Sequence, residues 1–468
     1  MLFQLARLCL ILSLTPILST RFHAYAYPEL VGLINDNRHS HAREQPAQFE
    51  TKERTEEQQK LYARQLEVLT GLVDALAPGT LDAALSFGGG WSGFGSIDIG
   101  NGPIDVWGQF PFEPPGPYDQ RGPCPGQNAL ANHHVISHTG IVSIWEVIEG
   151  TMAVFNLGYD IALLSVLAAV ISGGDPVTMK YSLGGPDPRV GAPLDGLLGI
   201  FGTPQGLEHT HNFVECDSSM TRQDVYQYGN AWTMDVNLFL QFYESVPYGG
   251  LFTREAIVRA SCVRWHQSKD WNPFFYYGPG TGYFRNFAQE VIMLFGNHSD
   301  GSIDGVLTHD ILYSFYGLTS DPVPFTYREG WERIPENWYR RPVPFDFLGH
   351  ITELLVWFGL CPELASIGGN TGTPNSFVGV NVNDPASGIA NLPNLLEGTN
   401  LLCFLLQMLK FVSPSFTNNI YASIFGLVGD VTATLGCPEI PDLTRGGEAL
   451  FANLQATYPG ARMAESGF

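Results

Sequence analysis

Arg121-Gly-Pro-Cys-Pro-Gly-Gln-Asn-Ala-Leu-Ala-Asn-His133 sets a cysteine between two prolines at the start of a helix-prone run. Pro123 holds the chain extended, and Pro125 suits a first helical turn, where a missing N–H costs nothing. The run predicts a helix through Asn128, Leu130 and His133, with Cys124 at its positive end. Free backbone N–H groups and the helix dipole there favour thiolate over thiol. A thiolate held this way is either a nucleophile or a metal ligand.

The whole chain has 468 residues, a formal charge of −22 and 44% hydrophobic content. That suffices for one large core or two packed lobes and excludes a disordered protein. The acidic excess argues against nucleic acid and anionic membrane surfaces as partners. Arg7, the apolar run Leu8 to Leu18 and the small residues of Ala24-Tyr-Ala26 read as a secretory signal over 1–26, cut before Tyr27. The apolar run is short for a membrane span, so no membrane association is expected after cleavage; an uncleaved anchor is the alternative. Asn297-His-Ser299 is an N-glycosylation sequon, in keeping with secretion.

Seven cysteines suit an oxidising route without forming a disulfide scaffold. Cys9 leaves with the signal. Cys361, Cys403 and Cys437 lie in the last quarter, and one disulfide among them is expected to tie down the C-terminal region. No spacing supports a cysteine-based zinc site.

Residues 27–95 form an extension, helix-prone over Glu50 to Ala77 and broken by Gly88-Gly-Gly-Trp-Ser-Gly-Phe-Gly95, which reads as a connector. Residues 96–468 are expected to form one large domain with a C-terminal helical region. Its apolar stretches have helical spacing: Ile141 to Val154, Tyr159 to Ile171, Val236 to Tyr243, Arg285 to Phe295, Ile351 to Leu360 and Leu401 to Val412. With 52 Gly and 32 Pro, the expected fold is mainly α with long ordered loops.

A second polar stretch, His211-Asn-Phe-Val-Glu-Cys-Asp-Ser-Ser-Met-Thr-Arg222, gathers acids and hydroxyls. Glu215, Asp217 and Ser219 alternate and can converge on one point, as hard oxygen ligands of Mg²⁺, Mn²⁺ or Ca²⁺ do. Capping of the next helix by Asp217, Ser219 or Thr221 is the plainer alternative.

Taken together, Pro123-Cys-Pro125, Asn128-Ala-Leu-Ala-Asn-His133 and Glu215-Cys-Asp-Ser-Ser-Met-Thr-Arg222 resemble the fungal haem-thiolate peroxidases, the family of chloroperoxidase and the unspecific peroxygenases. The resemblance implies a chloroperoxidase-like helical domain binding haem b, with Cys124 as axial iron ligand and His133 ordering the turn beneath the haem. It also implies one divalent cation, Mg or Mn, beside a haem propionate, held by Glu215, the carbonyl of Cys216 and Ser219. Two departures stand out. Cys216 replaces a His or Gly, which removes a histidine partner for the distal acid, and His134 follows His133 where the family has Gly. Glu208-His209-Thr210 imitates the second motif but lacks its Ser and Thr-Arg.

Such an enzyme uses hydrogen peroxide, through a ferryl intermediate, to oxidise, oxygenate or halogenate a small organic substrate. Thiolate ligation favours O–O cleavage, and heterolysis needs a base that returns the proton to the leaving oxygen. The family's distal glutamate lies on a helix, aided by a nearby Arg or His; Arg-containing members carry the arginine about two turns earlier. Phe284-Arg-Asn-Phe-Ala-Gln-Glu-Val-Ile-Met-Leu294 fits, with Glu290 as acid–base and Arg285 as charge stabiliser. Five residues span roughly 500°, so Arg285 points about 140° away from Glu290. Glu244 and Glu255 are reserves for the acid. By position Val214, Phe287 and Met293 would face the substrate pocket, and some of the 30 phenylalanines would line an access channel.

Two rival classes remain on the residues alone. A divalent-metal or zinc hydrolase would draw on His133, His134, His138, His209, His211 and the carboxylates, leaving Cys124 structural. A non-enzymatic secreted binding protein would hold Cys124 in a disulfide.

Overall fold

Five helices begin where a Ser, Thr or Asp can cap them. In the computed structural model, Ser143, Asp235, Thr253, Thr308 and Asp346 each accept a backbone N–H from the first turn that follows. The structure describes residues 97–100, 102–175, 178–191, 204–319, 326–379 and 454–462. The proposed signal over 1–26, the extension over 27–95, the stretch Leu401 to Val412, Cys403 and Cys437 lie outside the described residues.

The main helices are α1 (Pro125–Asn132), α2 (Ile144–Phe155), α3 (Tyr159–Gly173), α4 (Val236–Tyr243), α5 (Arg254–Trp271), α6 (Pro279–Glu290), α7 (His309–Phe315) and α8 (Phe347–Leu360). The strands are short: β1 (Ile141–Ser143), β2 (Lys180–Ser182), β3 (Tyr276–Tyr277), β4 (Leu318–Thr319), β5 (Thr326–Tyr327), β6 (Gly368–Asn370) and β7 (Phe377–Gly379). They form an antiparallel β1–β2 pair, an antiparallel β4–β5 pair and a small sheet of order β3-β6-β7. The fold is mainly helical, as expected.

Boundaries differ from expectation in two places. Ile141 to Val154 is not one helix, because Ile141–Ser143 pairs with Lys180–Ser182 and Ser143 starts the helix behind it. Arg285 to Phe295 is the end of α6 followed by a 3-10 turn, Val291–Phe295. Upstream of Arg285, α6 reaches back to Pro279, whose fixed φ suits the first turn.

The core gathers around α3, which is apolar on all sides and buries Ile161, Leu164, Leu167 and Val170. A helix hydrophobic all round must sit inside the molecule. Phe155, Phe295, Phe315 and Trp338 stack into one aromatic cluster; Phe295 and Phe315 lie face to face at 4.2 Å between ring centroids. That cluster joins α2, the turn after α6 and α7. On the far side, Tyr458 packs on Tyr276 and donates to the carbonyl of Val378, attaching the described C-terminal turn to the β3-β6-β7 sheet.

Cys361 bonds to Cys262, across a separation of 99 residues, and not to a cysteine of the last quarter. The bridge fastens α5 to the residue that ends α8. Cys124 and Cys216 are free thiols, which removes the reading in which Cys124 forms a disulfide. Among the described residues, no helix is long and apolar enough to cross a membrane.

Candidate active site

Cys124 is the N-cap of α1, extended at φ −96° and ψ 102°, with Pro125 at the first helical position. Its carbonyl accepts the N–H of Asn128 at 3.0 Å and opens the helix. Burial pushes its thiol above the usual range, against the downward pull of the Gln127 and Gly126 N–H groups and the Arg222 charge. The helix end therefore offsets part of the burial and does not by itself create a thiolate.

Asn128 and Asn132 of α1, and His133 at its C-cap, fasten the turn. Asn128 bonds both the N–H and the carbonyl of Gly122 and reaches Glu332 at 3.1 Å. Asn132 donates to the carbonyls of Gly330 and Glu332 and accepts from Arg121. His133 donates from Nδ1 to the Phe110 carbonyl at 2.7 Å and accepts the Ile334 N–H at Nε2, 3.0 Å away. Both ring nitrogens are consumed, and burial lowers the imidazole pKa to about 4, so it stays neutral. His133 is a staple of this turn. Gly122 is pressed against Leu183, where a Cβ would sit 1.9 Å from the carbonyl oxygen, so only glycine fits.

Glu332, absent from the sequence expectations, is the buried acid of this side. Burial raises it to about 7, and its charge acts on Cys124. Its Oε2 and the NH2 nitrogen of Arg121 are buried without hydrogen-bond partners. Glu332 lies in an irregular segment some 200 residues beyond α1 (204 from Asn128), so no local pattern marks it.

The second motif folds as a turn. Glu215 is buried with its Oε2 2.5 Å from His211 Nδ1, and His211 Nε2 lies 3.8 Å from Asp217. Although burial works against the charge, Glu215 and Asp217 raise His211 to about 9. Asp217 accepts from Asn272, and Asp224 accepts from Ser218 N–H, Arg264 and Ser268. Ser218 sits at φ +65°, a strained value for serine. Ser219 accepts the Thr221 N–H at Oγ and the Arg264 side chain at its carbonyl. Asp217 and Ser219 thus serve the turn itself; the short helix Val225–Tyr228 has Asp224 at its N-cap position, so the capping alternative does not hold.

Arg285 is placed elsewhere than expected. Its guanidinium donates to the hydroxyl and carbonyl of Ser218, to the hydroxyl and carbonyl of Ser261 and to Asn286, which uses all five N–H groups. It clamps the strained Ser218 turn to α5 and does not serve the acid. The five-residue offset from Glu290 already turns it to another helical face.

Glu290, at the end of α6, is buried and makes a short contact through Oε2 with Nδ1 of His350 on α8. Burial, then the charge of Glu353, holds the Glu290 carboxyl well above its usual range, and burial lowers His350 to about 3. The pair therefore rests as a carboxylic acid against a neutral imidazole. Glu290 Oε1, His350 Nε2 and the Tyr283 hydroxyl are all buried without hydrogen-bond partners. Tyr283 and Phe287 put their rings edge-on against His350 at 5.1 and 5.2 Å, and Phe345 and Phe347 complete an aromatic surround. The turn that follows Glu290 packs on α1: the Phe295 ring lies against Gly126, two residues beyond Cys124.

Phe287 is brought to the pair, whereas Val214 and Met293 pack against the hydrophobic core. Glu244 is exposed at the end of α4, and Glu255 is half-buried in the first turn of α5. His350 was missed because it sits 60 residues downstream of Glu290. Its one mark is a lone histidine in the apolar run Phe347-Leu-Gly-His-Ile351.

The histidines weighed for zinc are dispersed. His134 and His138 stack on each other near Glu113 and Asp119, His209 packs on Trp232, and His133 is consumed by backbone. Among the described residues, one group of three metal-binding side chains converges, Cys262, Cys361 and Glu363, and its two sulfurs are bonded to each other. Among the described residues, these histidines do not gather into a zinc ligand set.

The sequence profile of the family described as "Peroxidase, family 2" matches residues 110–343, which spans Cys124, the Glu215 turn and Glu290. An aromatic peroxidase of Fusarium equiseti is 38% identical over 383 residues, 78% of this chain and 87% of its own. A dothistromin biosynthesis peroxidase of Dothistroma septosporum is 33% identical over 359 residues, 74% of this chain and 85% of its own. An aromatic peroxygenase of Coprinellus radians is 34% identical over 181 residues, 38% of this chain and 67% of its own.

Proposed function

The chain belongs to peroxidase family 2 and is an oxidoreductase acting with peroxide, and on that premise we propose that it is a secreted haem-thiolate enzyme whose organic substrate is aromatic. The observation that carries the reading is Cys124, a free thiol at the N-cap of α1, together with the Glu290–His350 pair, whose Oε1 and Nε2 are buried without partners. A free soft donor at a helix N-terminus, together with orphaned polar atoms buried in an aromatic surround, fits a thiolate-ligated haem b. When bound, haem supplies the iron that takes up peroxide and the two electrons that cleave its O–O bond. The chain's own residues handle the protons. Glu290 accepts the inner peroxide proton at Oε1 while its Oε2 proton shifts to Nδ1 of His350. The reverse shift delivers a proton to the outer oxygen, which leaves as water.

Glu215, the Cys216 carbonyl and Ser219 offer hard oxygen donors for Mg²⁺ or Mn²⁺, with Glu215 oriented by His211. The aromatic substrate class is supported by the rings around His350 and by the names of the relatives. Secretion rests on residues 1–26. At Asn297 the side-chain amide donates to Asn337 and accepts from Ser299 and Tyr339, so glycan attachment there requires that Nδ2 be released.

The reduced CO complex of haem-loaded protein tests the ligand: a thiolate-type Soret band is expected, lost in Cys124→Ser. Its absence in the natural protein overturns the reading. Glu290→Gln is expected to slow peroxide consumption about 100-fold or more with the band retained; full turnover in that variant removes Glu290 from its role.

A further inference from the structure

We propose that Tyr283 is a further catalytic residue, its hydroxyl donating a hydrogen bond to the outer oxygen of bound hydrogen peroxide. The inference rests on the haem-thiolate reading above and assigns it a third distal group. Tyr283 lies seven residues before Glu290 on α6, and seven residues turn the helix roughly 700°, about 20° from eclipsed. The two side chains therefore share one face, two turns apart, where Arg285 does not.

Contacts agree with that geometry. The Tyr283 ring meets the His350 ring edge-on at 5.1 Å, and Glu290 acts electrostatically on the phenol. The hydroxyl is buried and has no hydrogen-bond partner. A buried hydroxyl without a partner is costly, and two further orphaned atoms, Glu290 Oε1 and His350 Nε2, belong to the residues that Tyr283 meets. Three unsatisfied polar atoms, one on the imidazole and two on residues that meet it, mark a place for a small polar molecule with both donors and acceptors, as hydrogen peroxide is. Burial holds the phenol well above its usual range, so it stays protonated and serves as a donor. It is an uncharged donor and stabilises negative charge on the departing oxygen without placing a cation in the pocket.

The test is Tyr283→Phe in the haem-loaded enzyme, read by binding as well as by turnover. Fluoride, an anion that accepts hydrogen bonds on ferric haem, is expected to bind about ten-fold more weakly, while carbon monoxide, a poor acceptor, binds unchanged. The bimolecular rate with peroxide is expected to fall by about the same factor or more. The melting temperature is expected to hold or rise, because the substitution removes an unsatisfied buried hydroxyl. A variant with unaltered fluoride affinity and peroxide rate overturns the assignment, as does one that loses carbon monoxide and fluoride affinity alike. The thiolate Soret band separates the two levels: its absence in the natural protein sinks the haem-thiolate reading, and its presence with an indifferent Tyr283→Phe variant sinks this inference alone.

Discussion

Replacing Arg285 by Met separates a structural clamp from a catalytic cation. The guanidinium is buried and makes five hydrogen bonds, to Ser218, Ser261 and Asn286. Two of its acceptors keep other donors, since Gln289 still reaches the Ser218 carbonyl and Tyr277 still reaches Asn286. The loss is therefore smaller than five charged hydrogen bonds and falls at about 3 kcal/mol, with the strained Ser218 backbone left unsupported. For a chain of this size that lowers the melting temperature by about 3 °C. The assay is thermal unfolding of haem-loaded protein beside the peroxide rate per unit of thiolate band. That rate is expected to stay within about three-fold of the natural enzyme, because the clamp touches neither Glu290 nor His350. An unchanged melting temperature with a peroxide rate down about 100-fold would refute the reasoning and restore Arg285 to the distal pocket.

Further predictions concern the opposite side of the site and the bridge. His133 is held near 4 against an unfolded value near 6.5. Below about 6.5 the unfolded chain binds the proton and the native one does not, so stability falls as pH drops from 6.5 toward 4, and His133→Gln is expected to flatten that slope in urea midpoints. Glu332 works the other way: raised to about 7 from an ordinary 4.5, it binds its proton more tightly when folded. Stability then falls as pH rises from 4.5 to 7, and Glu332→Gln, which keeps an acceptor for Asn128, removes that component. An unaltered slope in either variant contradicts its assignment. Reducing Cys262–Cys361, or replacing both by Ser, is expected to cost about 4–5 kcal/mol, in line with a loop of about 100 residues. Chemical denaturation checks this, with the thiolate band unaffected because Cys124 is not part of the bridge.

What could be read from the sequence was what local chemistry dictates. Prolines on both sides of Cys124 announce an extended approach and a helix start, and that is how the turn is built. The apolar spacing of Val236 to Tyr243 marks α4 from its first residue to its last. Ile141–Ser143 was legible only as apolar, since three residues cannot distinguish a strand from a helix start without the partner at Lys180–Ser182. Glu290 was picked by motif order, but its contact with His350, the contact of Glu332 with Asn128 and the pairing of Cys262 are all set by packing between distant segments. Helical phase, which already turns Arg285 away from Glu290, also marks the residue that shares its face. Counting seven residues back from Glu290 reaches Tyr283, whereas five reaches the arginine that charge alone suggests.

The clamp on α1 closes late. Asn128 and Asn132 are satisfied by Gly330 and Glu332, and His133 by Ile334, some 200 residues downstream. As the chain emerges in order, Cys124 is made long before the segment that holds its turn, and before Cys361 is there for Cys262. If the chain folds in an oxidising compartment, as proposed above, Cys124, Cys216 and Cys262 are open to one another in that interval, and a bridge that takes up Cys124 leaves no thiolate for the proposed metal. On that reading, slow docking of residues 330–334 on the helix lowers the yield of active protein, and free-thiol content is the measurement that shows it.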